Sequence, residues 1–166
     1  AVPRHDAGPQ AHGVRLSLPN EQRAICFGHQ LVAKALGGRV GHSPGGLRVG
    51  TAPLPLHSPP AWLQSAPAAL TLYAAHEEQV LALPPGAQVV GGDAFCPVGS
   101  LALGDHVWTL QYHPEFSPAF MADLLDALAE TLGPDAVARG RAQIAQPTDG
   151  GWVMAQFGSL LRRSLG

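Results

Sequence analysis

The sequence predicts a single domain of mixed α/β type, and two patterns carry that prediction. Short apolar segments with strand character are interspersed with three stretches whose apolar residues recur at helical spacing. Glycine and proline, 20 and 16 of the 166 residues, punctuate the chain often enough to make most connections tight turns. A hydrophobic fraction of 46% supplies a core and argues against disorder. The domain is assigned to residues 1–166, with 1–23 as an atypical N-terminal segment.

Residues 1–23 are polar and broken by Pro3, Pro9 and Pro19, with one weak strand at Val14–Leu18. Ala24-Ile25-Cys26 is a short apolar piece, and Phe27–Leu36 reads as a helix burying Leu31, Val32 and Leu36, ended by Gly37-Gly38. Arg39–Leu56 reads as short strands and turns. Strands are expected at Leu70–Ala74 and Gln88–Val90, with a turn at Leu83–Gly86. Cys96–Leu103 and Val107–Tyr112 form a predicted β-hairpin around Gly104-Asp105. Ser117-Pro118 has the chemistry of an N-cap followed by a first-turn proline, and Met121, Leu124, Leu125, Leu128 and Leu132 continue that helix to Gly133-Pro134. A last amphipathic segment carries Val153, Phe157, Leu160 and Leu161.

Composition excludes several function classes. The net charge is −2, and no basic cluster exceeds Arg162-Arg163, so no nucleic-acid or anionic-membrane partner is expected. No apolar run approaches the roughly 18 residues a span needs. Two cysteines, Cys26 and Cys96, suit a reducing compartment, and a cytoplasmic location is expected. The eight histidines lack paired ligand spacing, and no phosphate-cradling glycine loop occurs, so neither metal nor cofactor is expected.

The chemistry centres on Cys26. An apolar segment, a cysteine, a small residue and a helix form a nucleophile elbow, in which Ala24 and Gly28 leave the turn uncrowded. Such a turn sets the sulfur over a helix N-terminus, whose dipole favours thiolate. The backbone N–H of Phe27 becomes a donor for a developing oxyanion. Alone, a cysteine before a helix is better read as a small buried hydrophobe. The second constellation, 87 residues on, is His113-Pro114-Glu115. Residues two apart on an extended chain project to one side, so the Glu115 carboxylate can orient the His113 imidazole. Alone, that pair reads as a solvated surface pair. Together with Cys26 it completes a Cys–His–carboxylate set.

The segments Ile25-Cys26-Phe27-Gly28-His29-Gln30-Leu31-Val32-Ala33 and Leu110-Gln111-Tyr112-His113-Pro114-Glu115-Phe116 resemble the two signatures of class I glutamine amidotransferases. His76–Val80, Leu83–Ala87 and Phe95–Val98 agree with the stand-alone, GMP-synthase-like type, and the similarity covers residues 24–162. The resemblance implies a flavodoxin-like fold and hydrolysis of the glutamine side-chain amide through a thioester on Cys26. His113 would serve as base and acid, oriented by Glu115, and Gln30 would help bind glutamine. It also implies an ammonia acceptor or synthase partner. His76 matches a histidine in a segment lining the glutamine pocket, whereas His29, Cys96, Trp108 and Trp152 read as structural.

The family places several β-α units before the elbow, including a loop that donates a second oxyanion hydrogen bond. Only 25 residues precede Cys26 here, and Asn20–Ala24 is too polar for a buried parallel strand. A break is expected near Pro19-Asn20, leaving the fold incomplete at its N-terminus. Loss of one oxyanion donor raises a barrier by about 2.7–4 kcal/mol. Two alternatives stay open: a γ-glutamyl peptide or conjugate hydrolase with the same triad, and a non-catalytic amidotransferase-like binding module.

Overall fold

The computed structural model describes residues 22–63 and 65–163; the strand expected at Val14–Leu18 lies outside them. A four-stranded sheet forms the centre, in the order β1-β8-β7-β6. Its members are β1 (Gln22–Ile25), β8 (Val107–Leu110), β7 (Ser100–Leu103) and β6 (Gln88–Gly91). β1 and β8 run parallel, with Ile25 opposite Leu110, while β8–β7 and β7–β6 are antiparallel. Two further pairs are antiparallel: β2 (Arg39–His42) with β5 (Glu78–Ala82), and β3 (Arg48–Pro55) with β4 (Ala69–His76).

The break expected near Pro19-Asn20 lies outside the described residues, but the polar segment after it does form a parallel strand: Gln22–Ile25 pairs along its length with β8. Among the described residues it stands at the end of the strand order, with Ala24 and Ile25 half-buried. The parallel pairing matters more than the strand's length. It carries the chain ends following β1 and β8 to the same edge of the sheet, where ligand sites of α/β folds lie.

Helix α1 (Phe27–Ala35) starts directly after β1. It buries His29, Gln30 and Ala33, while Leu31 is 55% exposed and Val32 and Leu36 are half-buried. The burial face expected from the leucines is thus rotated. The elbow fixes the phase of the helix, and two polar side chains occupy the inner face because they find partners there. Gly37, at φ +95°, closes the helix: Gly38 N–H donates to Ala33 O and Gly37 N–H to Lys34 O, at 2.8 and 3.1 Å.

The β7–β8 hairpin turns through three residues, since Leu103 faces Val107 and Gly104 takes φ +57°. Cys96–Val98 lies ahead of it in turns rather than in the strand. Helix α2 (Pro118–Ala127) is capped by Ser117 Oγ, which accepts from Phe120 N–H at 3.1 Å. It ends before the expected Leu132; Leu128 separates it from the short α3 (Ala129–Leu132). The helix α4 (Pro134–Ile144) was not anticipated, and α5 (Gly150–Arg163) is the final amphipathic segment. Val153, Phe157 and Leu160 are buried on it; the Leu161 side chain lies outside the described ones.

The main core joins the four-stranded sheet and the β3–β4 pair to α5. Leu54, Leu70, Leu72, Leu110 and Tyr112 pack with Val153, Phe157 and Leu160, and Trp108 lies edge-on to Phe157 at 4.9 Å. Each such large side chain contributes about 1.5–3 kcal/mol on burial. The buried Trp108 indole meets its polar requirement by donating to Ser100 Oγ at 3.0 Å. A second cluster of Tyr73, Met121, Leu125 and Ile144 holds α2 and α4 on β4. No helix among the described residues is long and apolar enough to cross a membrane.

Candidate active site

Cys26 occupies the bend between β1 and α1 with φ +48° and ψ −106°, a conformation that L side chains rarely adopt and that costs on the order of 1–3 kcal/mol. Its N–H donates to Leu110 O at 2.8 Å, so the bend is clamped to the end of β8. The small flanks are required: a Cβ on Gly28 would stand 3.0 Å from the Ala24 Cβ. As the first residue of α1, Phe27 has an N–H without an intrahelical acceptor, while its side chain is 73% exposed.

Beyond β8, Gln111 and Tyr112 continue into the interior, both fully buried, before His113. His113 N–H donates to Tyr73 O at 2.8 Å, and this isolated bridge to β4 fixes the residue's height above the sheet. The His113 ring stacks on Phe116 at 3.9 Å. Its Nδ1 lies 2.7 Å from Glu115 Oε1, so Nδ1 carries a proton and donates it to the carboxylate. Pro114 and Glu115 belong to a turn, closed by Phe116 N–H to His113 O at 3.5 Å. The pairing of His113 with Glu115 arises from that turn, not from the extended geometry expected at the sequence level.

With Nδ1 committed to Glu115, Nε2 is the nitrogen left for Cys26, which interacts favourably with the protonated ring. Burial alone would lower the His113 pKa, but the hydrogen bonds and charge interactions with Cys26 and Glu115 outweigh it and raise the value to about 9. The imidazole is then protonated at neutral pH.

Gln30 is buried within one turn of the elbow. Its Nε2 donates to Glu78 O at 2.7 Å and to Gln111 Oε1 at 3.1 Å. Gln111 in turn places its Nε2 3.6 Å from Cys26 Sγ. Sequence reasoning missed Gln111 as a site residue; its polar amide closing an apolar strand, two residues before His113, was the available signal. His29 lies behind the elbow, fully buried, with Nε2 3.1 Å from Val98 O and Nδ1 2.7 Å from Thr109 Oγ1. A carbonyl only accepts, so Nε2–H is the protonated nitrogen and Nδ1 accepts from the threonine. Burial lowers the His29 pKa to about 4, countered in part by the Val98 hydrogen bond, and the ring is a neutral strut.

His76 is 5% exposed, and both its ring nitrogens lack hydrogen-bond partners. The Gln79 amide interacts with it, at a geometry short of a proper hydrogen bond. Burial, then the charges of Arg48 and His113, lower its pKa to about 4. It sits edge-on to Phe95 and Tyr112. Next to it Arg48 forks onto Asp93 at 3.1 and 2.6 Å, donates to Tyr112 OH at 3.2 Å, and lies 4.5 Å over the Phe95 ring. Asp93 also accepts from Cys96 N–H at 2.8 Å. Burial first, and then Asp93, push the Cys96 thiol up to about 12, which leaves Cys96 inert. Among the described residues no group of three or more His, Cys, Asp or Glu side chains is placed to hold a metal ion.

Residues 23–125 match the family model described as glutamine amidotransferase class-I. That stretch is well over half of the chain, and the chain belongs to the class I glutamine amidotransferase family. It is similar to a GMP synthase [glutamine-hydrolyzing] of Aeropyrum pernix, 34% identical over 120 residues that span 68% of this chain and 21% of that protein. It is also similar to gamma-glutamyl peptidase 3 of Arabidopsis thaliana, 29% identical over 108 residues, 61% of this chain and 43% of the relative. The chain thus spans less than half the length of these curated relatives. Its fold matches the crystal structure of a glutamine amidotransferase from Thermotoga maritima with a TM-score of 0.68 at 22% identity, over 86% of this chain and 61% of that one.

Proposed function

We propose that this chain carries the glutamine-hydrolysing site of an amidotransferase, releasing glutamate and ammonia through a thioester on Cys26. The observation that carries the reading is the hydrogen bond from His113 to Glu115 beside a cysteine held in a strained elbow, the cysteine and the ring interacting favourably. His113 Nε2 holds the proton of the resting pair, and the sulfur attacks the amide carbon as thiolate. The oxyanion of the tetrahedral intermediate is met by the Phe27 N–H. As the carbon–nitrogen bond breaks, Nε2 gives its proton to the departing nitrogen, which leaves as ammonia. A water then gives a proton to Nε2 and its oxygen to the acyl carbon; the carbon–sulfur bond breaks, the sulfur leaves as thiolate beside the imidazolium and glutamate departs. Glu115 fixes the tautomer throughout and stabilises the imidazolium.

Gln30 is read as a substrate contact through its Oε1, because its Nε2 is committed to Glu78 O and Gln111. The ammonia acceptor belongs to a synthase partner, a reading supported by the likeness to a GMP synthase. A second reading, hydrolysis of a γ-glutamyl peptide or conjugate, is supported by the likeness to a gamma-glutamyl peptidase. Both acyl groups are γ-glutamyl and differ only in the leaving amine, so the same residues serve either.

The test is glutamate release from glutamine and from a panel of γ-glutamyl conjugates, with Cys26→Ala as control. Release from glutamine that disappears in Cys26→Ala is the expected result. Faster turnover of conjugates would favour the second reading, and no release from any substrate by folded protein would refute both.

A further inference from the structure

We infer that Gln111 is a further catalytic residue, whose side-chain N–H holds the Cys26 sulfur and whose orientation is imposed by Gln30. The inference rests on the reading of Cys26 as the nucleophile. Its geometry is a directed chain of hydrogen bonds. Glu78 O is an acceptor only, so the Gln30 group 2.7 Å away is the NH2. That same NH2 reaches Gln111 at 3.1 Å, so the Gln111 atom facing it is the carbonyl oxygen. The remaining end of Gln111, 3.6 Å from Cys26 Sγ, is therefore its NH2. Amide orientation is often ambiguous; here one backbone carbonyl settles it for both glutamines. Gln111 is 0% exposed, so bulk solvent does not reach that N–H.

The chemical consequence is a donor aimed at the atom that carries negative charge at rest and again when the thioester breaks down. A hydrogen bond to a charged partner is stronger than a neutral one, so the contact favours thiolate over thiol. It also fixes the sulfur on the His113 side of the elbow, and ties the nucleophile's state to the glutamine-contacting residue Gln30.

The experiment compares Gln111→Glu and Gln111→Met with the parent chain. Glutamate at 111 keeps an oxygen for Gln30 but offers no N–H to the sulfur. Methionine conserves volume and charge while removing the donor. The readouts are glutamine hydrolysis and the rate of Cys26 alkylation by iodoacetamide across pH, followed by peptide mass. In both variants alkylation at pH 7 is expected to slow by about tenfold, its rise is expected to move to higher pH, and kcat is expected to fall more than KM changes. Folded variants that alkylate like the parent would overturn the inference while leaving the hydrolytic reading intact. Slowing in Gln111→Glu alone would also overturn it, by assigning the effect to added charge. If the parent releases no glutamate yet alkylation still depends on Gln111, the hydrolytic reading falls and the sulfur contact stands. Should Gln111→Glu fail to fold, Gln111→Met decides on the same readouts.

Discussion

At the scale of single residues, Cys26 stands in a conformation that serves chemistry at the expense of stability. Its φ of +48° strains any residue that has a Cβ, and glycine alone escapes that strain. The usual ranking of alanine over glycine is therefore expected to invert here. Cys26→Gly should be more stable than Cys26→Ala by about 1 kcal/mol, measured by denaturant unfolding, although neither variant hydrolyses glutamine. Equal stability, or alanine ahead, would show that the elbow is unstrained. Cysteine, histidine and glutamate announced themselves in the sequence because their spacing matches a reaction. Gln111 did not, since a lone buried amide has no pattern of its own until its partners, 81 and 85 residues away along the chain, are seen.

At the scale of elements, the site is built by two strand ends and braced from behind by a helix. The parallel register of β1 with β8 brings Cys26 and Gln111 side by side, and the bridge to Tyr73 on β4 sets His113. The start of α5 locks the turn that follows. Asp149 N–H donates to Thr71 O at 2.8 Å, Thr71 N–H donates back to Asp149 Oδ2 at 2.7 Å, and a Cβ on Gly150 would come within 2.4 Å of Pro114 O. Gly150→Ala must displace Pro114 and, with it, the spacing of His113 and Glu115. It is expected to cost about 1–3 kcal/mol and to lower kcat, as checked by thermal unfolding and glutamate release. A variant matching the parent in both would show that α5 does not brace the site. Helix and strand positions near strong punctuation were legible beforehand: Gly37-Gly38 and Ser117-Pro118 mark ends by backbone chemistry that acts locally. The β1 strand and the inner face of α1 were not, because each depends on distant partners. Gln22–Ile25 is polar by pattern but gains its hydrogen bonds from β8, and α1 turns His29 and Gln30 inward because Thr109, Val98, Glu78 and Gln111 await them.

At the scale of the whole molecule, three histidines set opposing demands on pH. His29 and His76 have folded pKa values near 4, below the ordinary 6.5. The unfolded chain thus binds more protons than the folded one between pH 4 and 6.5, and their contribution is lost as pH falls through that window. His113, raised to about 9, acts in the other direction: its contribution is complete below pH 6.5 and is lost as pH rises toward 9. Each group changes stability by up to about 1.4 kcal/mol per pH unit within its window. Stability is expected to peak near pH 6.5, with an acid limb steeper than the alkaline one, as read by melting temperature against pH. His113→Gln should flatten the alkaline limb and leave the acid limb alone. An unchanged alkaline limb would mean that His113 does not hold its proton in the folded state.

The central claim is that Cys26, activated by His113, attacks a γ-glutamyl carbonyl. A glutamine-mimicking electrophile, incubated with the chain at pH 7 and followed by intact mass and peptide mapping, tests it most directly. The account predicts one adduct per chain, located on Cys26, suppressed by excess glutamine and slowed strongly in His113→Ala, with Cys96 unlabelled. Folded protein that forms no adduct, or forms it on Cys96 or elsewhere irrespective of glutamine, would contradict it.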